Sequence, residues 1–307
     1  MGKIAVLFSG QGAQYVGMGK DLYDSDSDAK KLYDLGESLR PGTVKVCFEG
    51  EGEELTKTEN TQPALFLTDL AFANALKDAG IKADAVAGFS LGEIPALAYA
   101  GVLSIEDAFK LVVIRGTKMG ELSTKYAGGM AAALKLAPEV VEETCKEFKE
   151  IWPVNYNCPG QIVITGEADA VEAASEALKE AGAKRCIPLK VSGPFHSALL
   201  KNAGEQLAEE LKSVKLSTPW IPYVSNVTAD YVTDASQVAE LLKQQVSSPV
   251  QFTQSIERMI ADGVDTFIEI GPGKTLSSFV RKIDRNVKIY NIEKPEDLDR
   301  VMEELVC

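Results

Sequence analysis

Apolar runs of strand length alternate with segments of helical spacing through most of this chain. Ile4-Ala5-Val6-Leu7-Phe8 reads as a buried strand, opening at Lys3 and ending in the turn-rich Ser9-Gly10-Gln11-Gly12. Pro63–Ala79 carries its apolar positions at helical spacing and stops at Gly80, a plausible C-cap. Ala83–Phe89 is a short apolar run that turns at Gly88 into the helical stretch Leu91–Ala100. A further helix is predicted over Ser104–Glu121, with Ser104 as N-cap and Asp107 three residues on. Strands follow at Trp220–Ser225, Thr266–Ile270 and Lys288–Asn291, separated by helical segments. Alternation of this kind predicts an α/β fold, here an α/β-hydrolase-like domain around a mainly parallel sheet.

The middle of the chain breaks the rhythm. Strand-like Met130–Leu136, helical Pro138–Glu150, strand-like Val154–Tyr156 and Gln161–Thr165, helical Ala168–Ala181 and strand-like Arg185–Leu189 follow one another. Pro138 suits the first turn of its helix, and Pro159-Gly160 supplies the turn between paired strands. This βαββαβ order is the ferredoxin-like pattern. The expected organisation is a small ferredoxin-like subdomain at 127–191 inserted into a catalytic domain made of 1–126 and 192–307.

Composition narrows the function. The 307 residues are 45% hydrophobic and 25% charged, a balance able to bury a real core. No run approaches the ~20 apolar residues of a membrane span, and the N-terminus is too polar after its first strand for a secretory signal. A cytoplasmic protein is expected. With 32 basic and 45 acidic residues the net charge is −13, which repels nucleic acid and anionic membranes. The five cysteines, Cys47, Cys145, Cys158, Cys186 and Cys307, are scattered without a C-x-x-C and suit reduced thiols. His196 is the sole histidine, which argues against a histidine-built metal centre.

Gly88-Phe89-Ser90-Leu91-Gly92 matches G-x-S-x-G. A serine on a sharp strand-to-helix turn is pushed into solvent, and flanking glycines let strand and helix pack without a Cβ clash. The next amide, that of Leu91, then faces the place where an oxyanion develops. Read alone, the pattern fits an ordinary helix-capping serine as well as a nucleophile. Serine needs a base, and His196, in the turn Gly193-Pro194-Phe195-His196, is the one imidazole to supply it. A satisfied structural histidine is the alternative.

Several ordered motifs together resemble the malonyl-CoA:acyl carrier protein transacylases of dissociated fatty-acid synthesis, over essentially the whole chain. They are Phe8-Ser9-Gly10-Gln11-Gly12-Ala13-Gln14, Thr61-Gln62-Pro63-Ala64, Gly88–Glu93, and Arg115 with Met119. Further on come Asn155-Tyr156-Asn157-Cys158-Pro159-Gly160-Gln161, Gly193–His196, Pro249-Val250-Gln251-Phe252 and Gly271-Pro272-Gly273-Lys274. The resemblance implies that Ser90 is the nucleophile and His196 the general base, with the Gln11 and Leu91 amides as oxyanion hole. It implies that Arg115 holds the free carboxylate of a malonyl group through two parallel hydrogen bonds. Asn155, Gln62 and Met119 are expected to line the site. The backbone carbonyl of Gln251 is expected to orient His196 in place of an acidic third member.

One departure stands out: the family commonly has histidine before the nucleophile, where this chain has Phe89. Phe195-His196 resembles the malonyl-selecting form of related acyltransferase domains. The implied reaction is ping-pong malonyl transfer from malonyl-CoA to the phosphopantetheine thiol of acyl carrier protein, with no metal or redox cofactor. The expected partners are that carrier and coenzyme A, without nucleic acid or membrane, and the expected state is a monomer. Two basic clusters are candidates for meeting an acidic carrier: Lys184, Arg185 and Lys190, and Arg281, Lys282 and Arg285. The Gly271–Lys274 loop, between a strand and a helix, reads equally as a contact for pantetheine or phosphate and as a plain turn. Rival readings are a serine esterase or thioesterase, a trans-acting acyltransferase of a polyketide assembly line, and a non-catalytic carrier-binding subunit.

Overall fold

The computed structural model describes residues 2–126, 128–191 and 193–306. Both junctions expected for the small subdomain involve a residue outside this set, Ala127 or Ser192, and Cys307 lies outside it as well. Ten strands build two sheets among the described residues. The first sheet takes β1 (Lys3–Phe8), β2 (Ala85–Gly88), β7 (Tyr223–Val224), β8 (Tyr231–Val232), β9 (Val264–Ile270) and β10 (Lys288–Ile292). Their spatial order is β10-β9-β1-β2-β7-β8, parallel except for β8, which pairs antiparallel with β7.

Strand β1 shows why this sheet is parallel and central. Its residues Ala5 to Phe8 have no exposed surface at all, the continuous apolar signature of a strand covered on both faces. Val6 and Phe8 point into one apolar cluster, with the long helix Thr58–Asp78. Ala5 and Leu7 point into the other, with helices Phe252–Ala261 and Thr275–Ile283. The strand ends of β1, β2 and β9 therefore stop together, and the loops beyond Phe8, Gly88 and Ile270 share one edge.

The second sheet contains β3 (Gly128–Leu134), β4 (Ile151–Cys158), β5 (Gln161–Glu167) and β6 (Arg185–Pro188). Its order is β4-β5-β3-β6, antiparallel throughout, as the βαββαβ pattern requires. Ala131, Ala133, Ile162 and Ile164 face helices Pro138–Lys146 and Ala168–Glu180. The alternate residues Met130, Ala132 and Val163 belong to the core of the larger unit. Two backbone bonds tie the sheets further: Tyr156 N–H donates to the Val250 carbonyl (2.9 Å), and Val250 N–H to that of Val154 (2.8 Å).

Two elements run beyond their expected limits, and both carry site residues. The helix expected from Pro63 begins at Thr58, because Asn60, Thr61 and Gln62 are polar yet buried. A proline ordinarily marks a helix's first turn; here it sits inside one. The helix after Ser104 continues to Tyr126, with Ser104 Oγ accepting from Asp107 N–H (3.1 Å). No helix among the described residues is long and apolar enough to cross a membrane.

Candidate active site

Strand β2 delivers Ser90 at its end, on a turn that the two glycines make possible. A methyl group on Gly88 would run into the backbone of Gly92 and Glu93, and one on Gly92 into the carbonyls of Phe8 and Ser9. Ser90 itself has φ 54°, a left-handed conformation that a non-glycine residue adopts only when its surroundings hold it there. Asn226 does the holding. Its side-chain oxygen accepts from Ser90 N–H (2.7 Å), and its amide group donates to the Gly88 carbonyl (2.6 Å). Beneath the turn, Phe89 meets Phe252 edge-on at 5.5 Å and Phe279 at 6.3 Å, so an apolar ring fills the place of the family's histidine.

Ser90 Oγ lies 2.7 Å from His196 Nε2. The other ring nitrogen, Nδ1, faces two carbonyl oxygens, those of Gln245 (2.9 Å) and Ser248 (3.2 Å). Carbonyls only accept, so Nδ1 carries the hydrogen and Nε2 presents its lone pair to the serine. Burial, and after it the nearby Arg115 cation, press the imidazole pKa down from 6.5 to about 4. The ring is thus neutral and ready to take a proton at physiological pH. The expected orienting group, the Gln251 carbonyl, is elsewhere. It is committed to the start of the helix Phe252–Ala261, accepting Ser255 N–H (2.9 Å) and Ser255 Oγ–H (2.8 Å). The carbonyls that face His196 lie before that helix, at the end of the helix Val238–Gln245 and in the turn after it.

Arg115 is 1% exposed. Its guanidinium donates from Nη1 to Gln62 Oε1 (2.9 Å), and from Nη2 to Gln245 Oε1 (3.0 Å) and Ser90 Oγ (3.1 Å). Among the described residues no carboxylate forms an ion pair with it. Burying a cation costs several kcal/mol, and three bonds to uncharged acceptors, each worth about 1.5–3 kcal/mol, are needed to offset it. A surface arginine making a salt bridge, the ordinary reading of a lone arginine, is excluded. What stands beside the nucleophile is a fixed positive charge with neutral partners. Gln62 also donates to Met119 Sδ (3.5 Å), which brings Gln62, Met119 and Arg115 together from two helices.

The loop beyond β1 packs against the elbow so closely that a Cβ at Gly10 would meet the Phe89 carbonyl at 2.6 Å. Gln11 follows, its side-chain amide donating to Thr58 Oγ1 (3.1 Å). The Leu91 amide lies in the first turn after Ser90. A cleft of about 530 Å³ runs from Gln11 past Thr58 and Gly120 to Lys190. Of the two basic clusters, the one with Lys190 borders this cleft, whereas Lys282 reaches Gln161 at the β4–β5 turn. Asn155 is not hydrogen-bonded to Ser90, His196 or Arg115. It stands on β4 against Val250, with its side-chain oxygen buried and unpartnered. The Gly271–Lys274 loop resolves as a turn. The amides of Leu276 and Ser277 at the following helix start are filled by the Glu269 carboxylate (2.9 and 2.7 Å), so these two are not free for an outside anion.

Residues 6–293 match the family model described as acyl transferase domain. The malonyl CoA-acyl carrier protein transacylase of Bacillus subtilis (strain 168) is 46% identical, over 99% of this chain and 98% of that protein. The chain belongs to the malonyl CoA-acyl carrier protein transacylase family. The Clostridium perfringens family structure superposes with TM-score 0.95 at 42% identity, covering 99% of this chain and 97% of that one. A malonyl-transacylase solved in complex with its type II PKS acyl-carrier protein superposes with TM-score 0.95 at 34% identity, covering 98% and 99%.

Within this transacylase, three site residues escaped the sequence reading: Gln245, Asn226 and Glu93. Gln245 bonds to Arg115, His196, Ser90 and Glu93. Its carbonyl takes the His196 hydrogen and its Oε1 that of Arg115, while its Nε2 donates to the Ser90 carbonyl (2.6 Å) and to Glu93 Oε2 (3.0 Å). Glu93 also accepts from Asn226 N–H (3.2 Å) and is fully buried. A signal for Glu93 was present: a carboxylate directly after an elbow, in an otherwise apolar helix.

Proposed function

We propose that this protein transfers a malonyl group from malonyl-CoA, by way of Ser90, to the phosphopantetheine thiol of acyl carrier protein. The observation that carries the reading is the buried Arg115 guanidinium, 3.1 Å from the nucleophilic oxygen and bonded only to neutral groups. An acyl group ending in a carboxylate supplies an anion that can bond this guanidinium directly, which no carboxylate among the described residues does; an acetyl group does not. An esterase that hydrolyses uncharged acyl groups has no use for it.

In this scheme Ser90 Oγ attacks the thioester carbonyl carbon while His196 Nε2 takes the hydroxyl proton. The Gln11 and Leu91 amides hold the tetrahedral oxyanion. As the C–S bond breaks, the departing sulfur receives the proton from His196, and malonyl-Ser90 remains. The carrier thiol then attacks the ester carbonyl and gives its proton to His196, which passes it to Ser90 Oγ as the ester bond breaks. Arg115 holds the malonyl carboxylate through both halves, backed by Gln62 and Met119, with Asn155 lining the approach from β4. No cofactor enters. Residues 127–191 act as the small subdomain that walls one side of the cleft, with 1–126 and 192–307 as the catalytic domain. Fatty-acid elongation in the cytoplasm, by a monomer, is the setting that fits.

Intact-protein mass spectrometry after brief incubation with malonyl-CoA tests the reading. The expected result is a malonyl-sized adduct, absent in Ser90→Ala and discharged by phosphopantetheinylated carrier protein. Free malonate without adduct would point to a hydrolase, and no turnover to a non-catalytic subunit. Arg115→Ala is expected to reduce malonyl transfer by about 10²–10³-fold and to raise acetyl transfer relative to it.

A further inference from the structure

Glu93 sits behind the site with no access to water and an unusual set of neighbours. Its Oε2 accepts from Gln245 Nε2 and Asn226 N–H, both uncharged donors, and its Oε1 is buried with no partner. The ionisable groups around it come from two other elements. Arg115, on the helix Ile105–Tyr126, acts on it through space, and Glu93 in turn acts on the Tyr223 phenol on β7, whose hydroxyl is buried and unpartnered among the described residues. His196 belongs to the same cluster through Gln245, which links them all. In the resting site the ionised form of Glu93 is opposed to the Arg115 cation through space, with no direct ion pair between them.

A malonyl carboxylate on Arg115 changes that arrangement. Two carboxylates would then share one guanidinium in a region of low dielectric, and a like charge at close range favours the protonated form of one of them. The acyl carboxylate makes the direct guanidinium bonds, so Glu93 is the group that yields. We infer that Glu93 is a positioning and specificity-determining residue that takes up a proton when a carboxylate-bearing acyl group enters, so that malonyl binding is coupled to protonation of Glu93. This rests on the malonyl reading above. Protonation at Oε1, the oxygen without a partner among the described residues, leaves both donors to Oε2 in place. Glu93 is already poised for it: burial raises its pKa from 4.5 to about 7 even with hydrogen bonding from Gln245, Asn226 and Ser225, and the Arg115 cation, opposing.

The sign follows. With Glu93 protonated more readily in the complex than in the free enzyme, malonyl-CoA affinity is highest below the free-enzyme value of about 7. It falls as pH rises through that value, by at most about tenfold per pH unit. Acetyl-CoA carries the same phosphates but no acyl carboxylate, and its binding should show no such slope.

The test is calorimetry of malonyl-CoA and acetyl-CoA binding to the full chain carrying Ser90→Ala, in buffers of different ionisation enthalpy at about pH 8, where Glu93 of the free protein is mostly ionised. Uptake approaching one proton with malonyl-CoA, none with acetyl-CoA, and loss of the uptake when Glu93→Gln is added are expected. Uptake that persists in Glu93→Gln, or binding without uptake, overturns the inference and leaves the malonyl reading intact. No malonyl-CoA binding, together with no adduct on unmodified enzyme, overturns both. Should Glu93→Gln not fold, infrared difference spectra of the Ser90→Ala protein decide. A protonated-carboxyl C=O band that grows on adding malonyl-CoA supports the coupling, and no such band defeats it.

Discussion

Two strand–turn–helix units in the same parallel sheet end in glycine-rich loops, and only one of them is a reaction site. After β2, Gly88–Gly92 turns the chain so that Ser90 projects with φ 54° and the Leu91 amide begins a short helical turn. After β9, Gly271–Lys274 turns the chain into the helix Thr275–Ile283. There the carboxylate of Glu269, from the strand itself, folds over and accepts from Leu276 and Ser277. The second unit satisfies its own helix start. In the first, the corresponding acid, Glu93, stands inside the helix and bonds to Gln245 and Asn226 instead, so it does not occupy the Leu91 amide. A glycine-rich loop before a helix is therefore not a site in itself; what matters is whether an internal group already occupies its amides.

Substitution at the glycines should separate the two units most sharply. Gly88→Ala places a methyl group into the Gly92 and Glu93 backbone. It is expected to lower Ser90 acylation by more than about 10²-fold and to cost ~3 kcal/mol or more in chemical denaturation. Retention of full acylation would mean the elbow tolerates a different geometry. Gly273→Ala meets no atom within 4 Å and has only its φ of 83° to oppose it, so about 1–2 kcal/mol and no change in acylation are expected.

The acid limb of the pH profile is the next largest effect. Because His196 titrates at about 4, acylation at about pH 5 should be roughly 30-fold faster than a histidine of ordinary pKa would allow. A limb centred near 6.5 in kcat/KM would show that the imidazole is wetter than its burial implies. Stability moves in the same window: the unfolded chain takes up a proton that the buried ring refuses, so the fold weakens as pH falls from 6.5 towards 4.

Smaller still is the effect of emptying the closed loop. Glu269→Ala removes the acceptor for two helix amides. It should cost ~1–3 kcal/mol by thermal or chemical unfolding while malonylation of Ser90 proceeds at its normal rate. A fall in acylation at full stability would instead draw this loop into the site.

Much of this was legible in the chain. The elbow was readable because its glycines and serine are neighbours and the requirement for them is local sterics. The βαββαβ insert was readable from period alone, down to the helix-opening Pro138. Arg115 and Ser90, 25 residues apart, and Ser90 and His196, 106 apart, came from family resemblance together with the scarcity of alternatives. The orienting carbonyl was misassigned. Gln251 and Gln245 are both glutamines near Pro249, and only the path of the turn decides which carbonyl reaches Nδ1 and which opens a helix. Asn226 and Gln245 left little trace, because each holds the elbow from more than 130 residues away, and Glu93 showed only as a carboxylate after the elbow.

Sequence by itself therefore determined the order of strands and helices, the serine on its turn, the single available base and the arginine's helix. These depend on periodicity, glycine sterics and residue supply, all properties of short stretches of chain. Only the tertiary structure decided that Arg115 is buried without a carboxylate partner, that Gln245 joins base, cation and nucleophile, and that Glu93 is sealed behind them. Burial and long-range hydrogen bonding set the charge of a group by removing water from it, and no local pattern records which distant segments will do so.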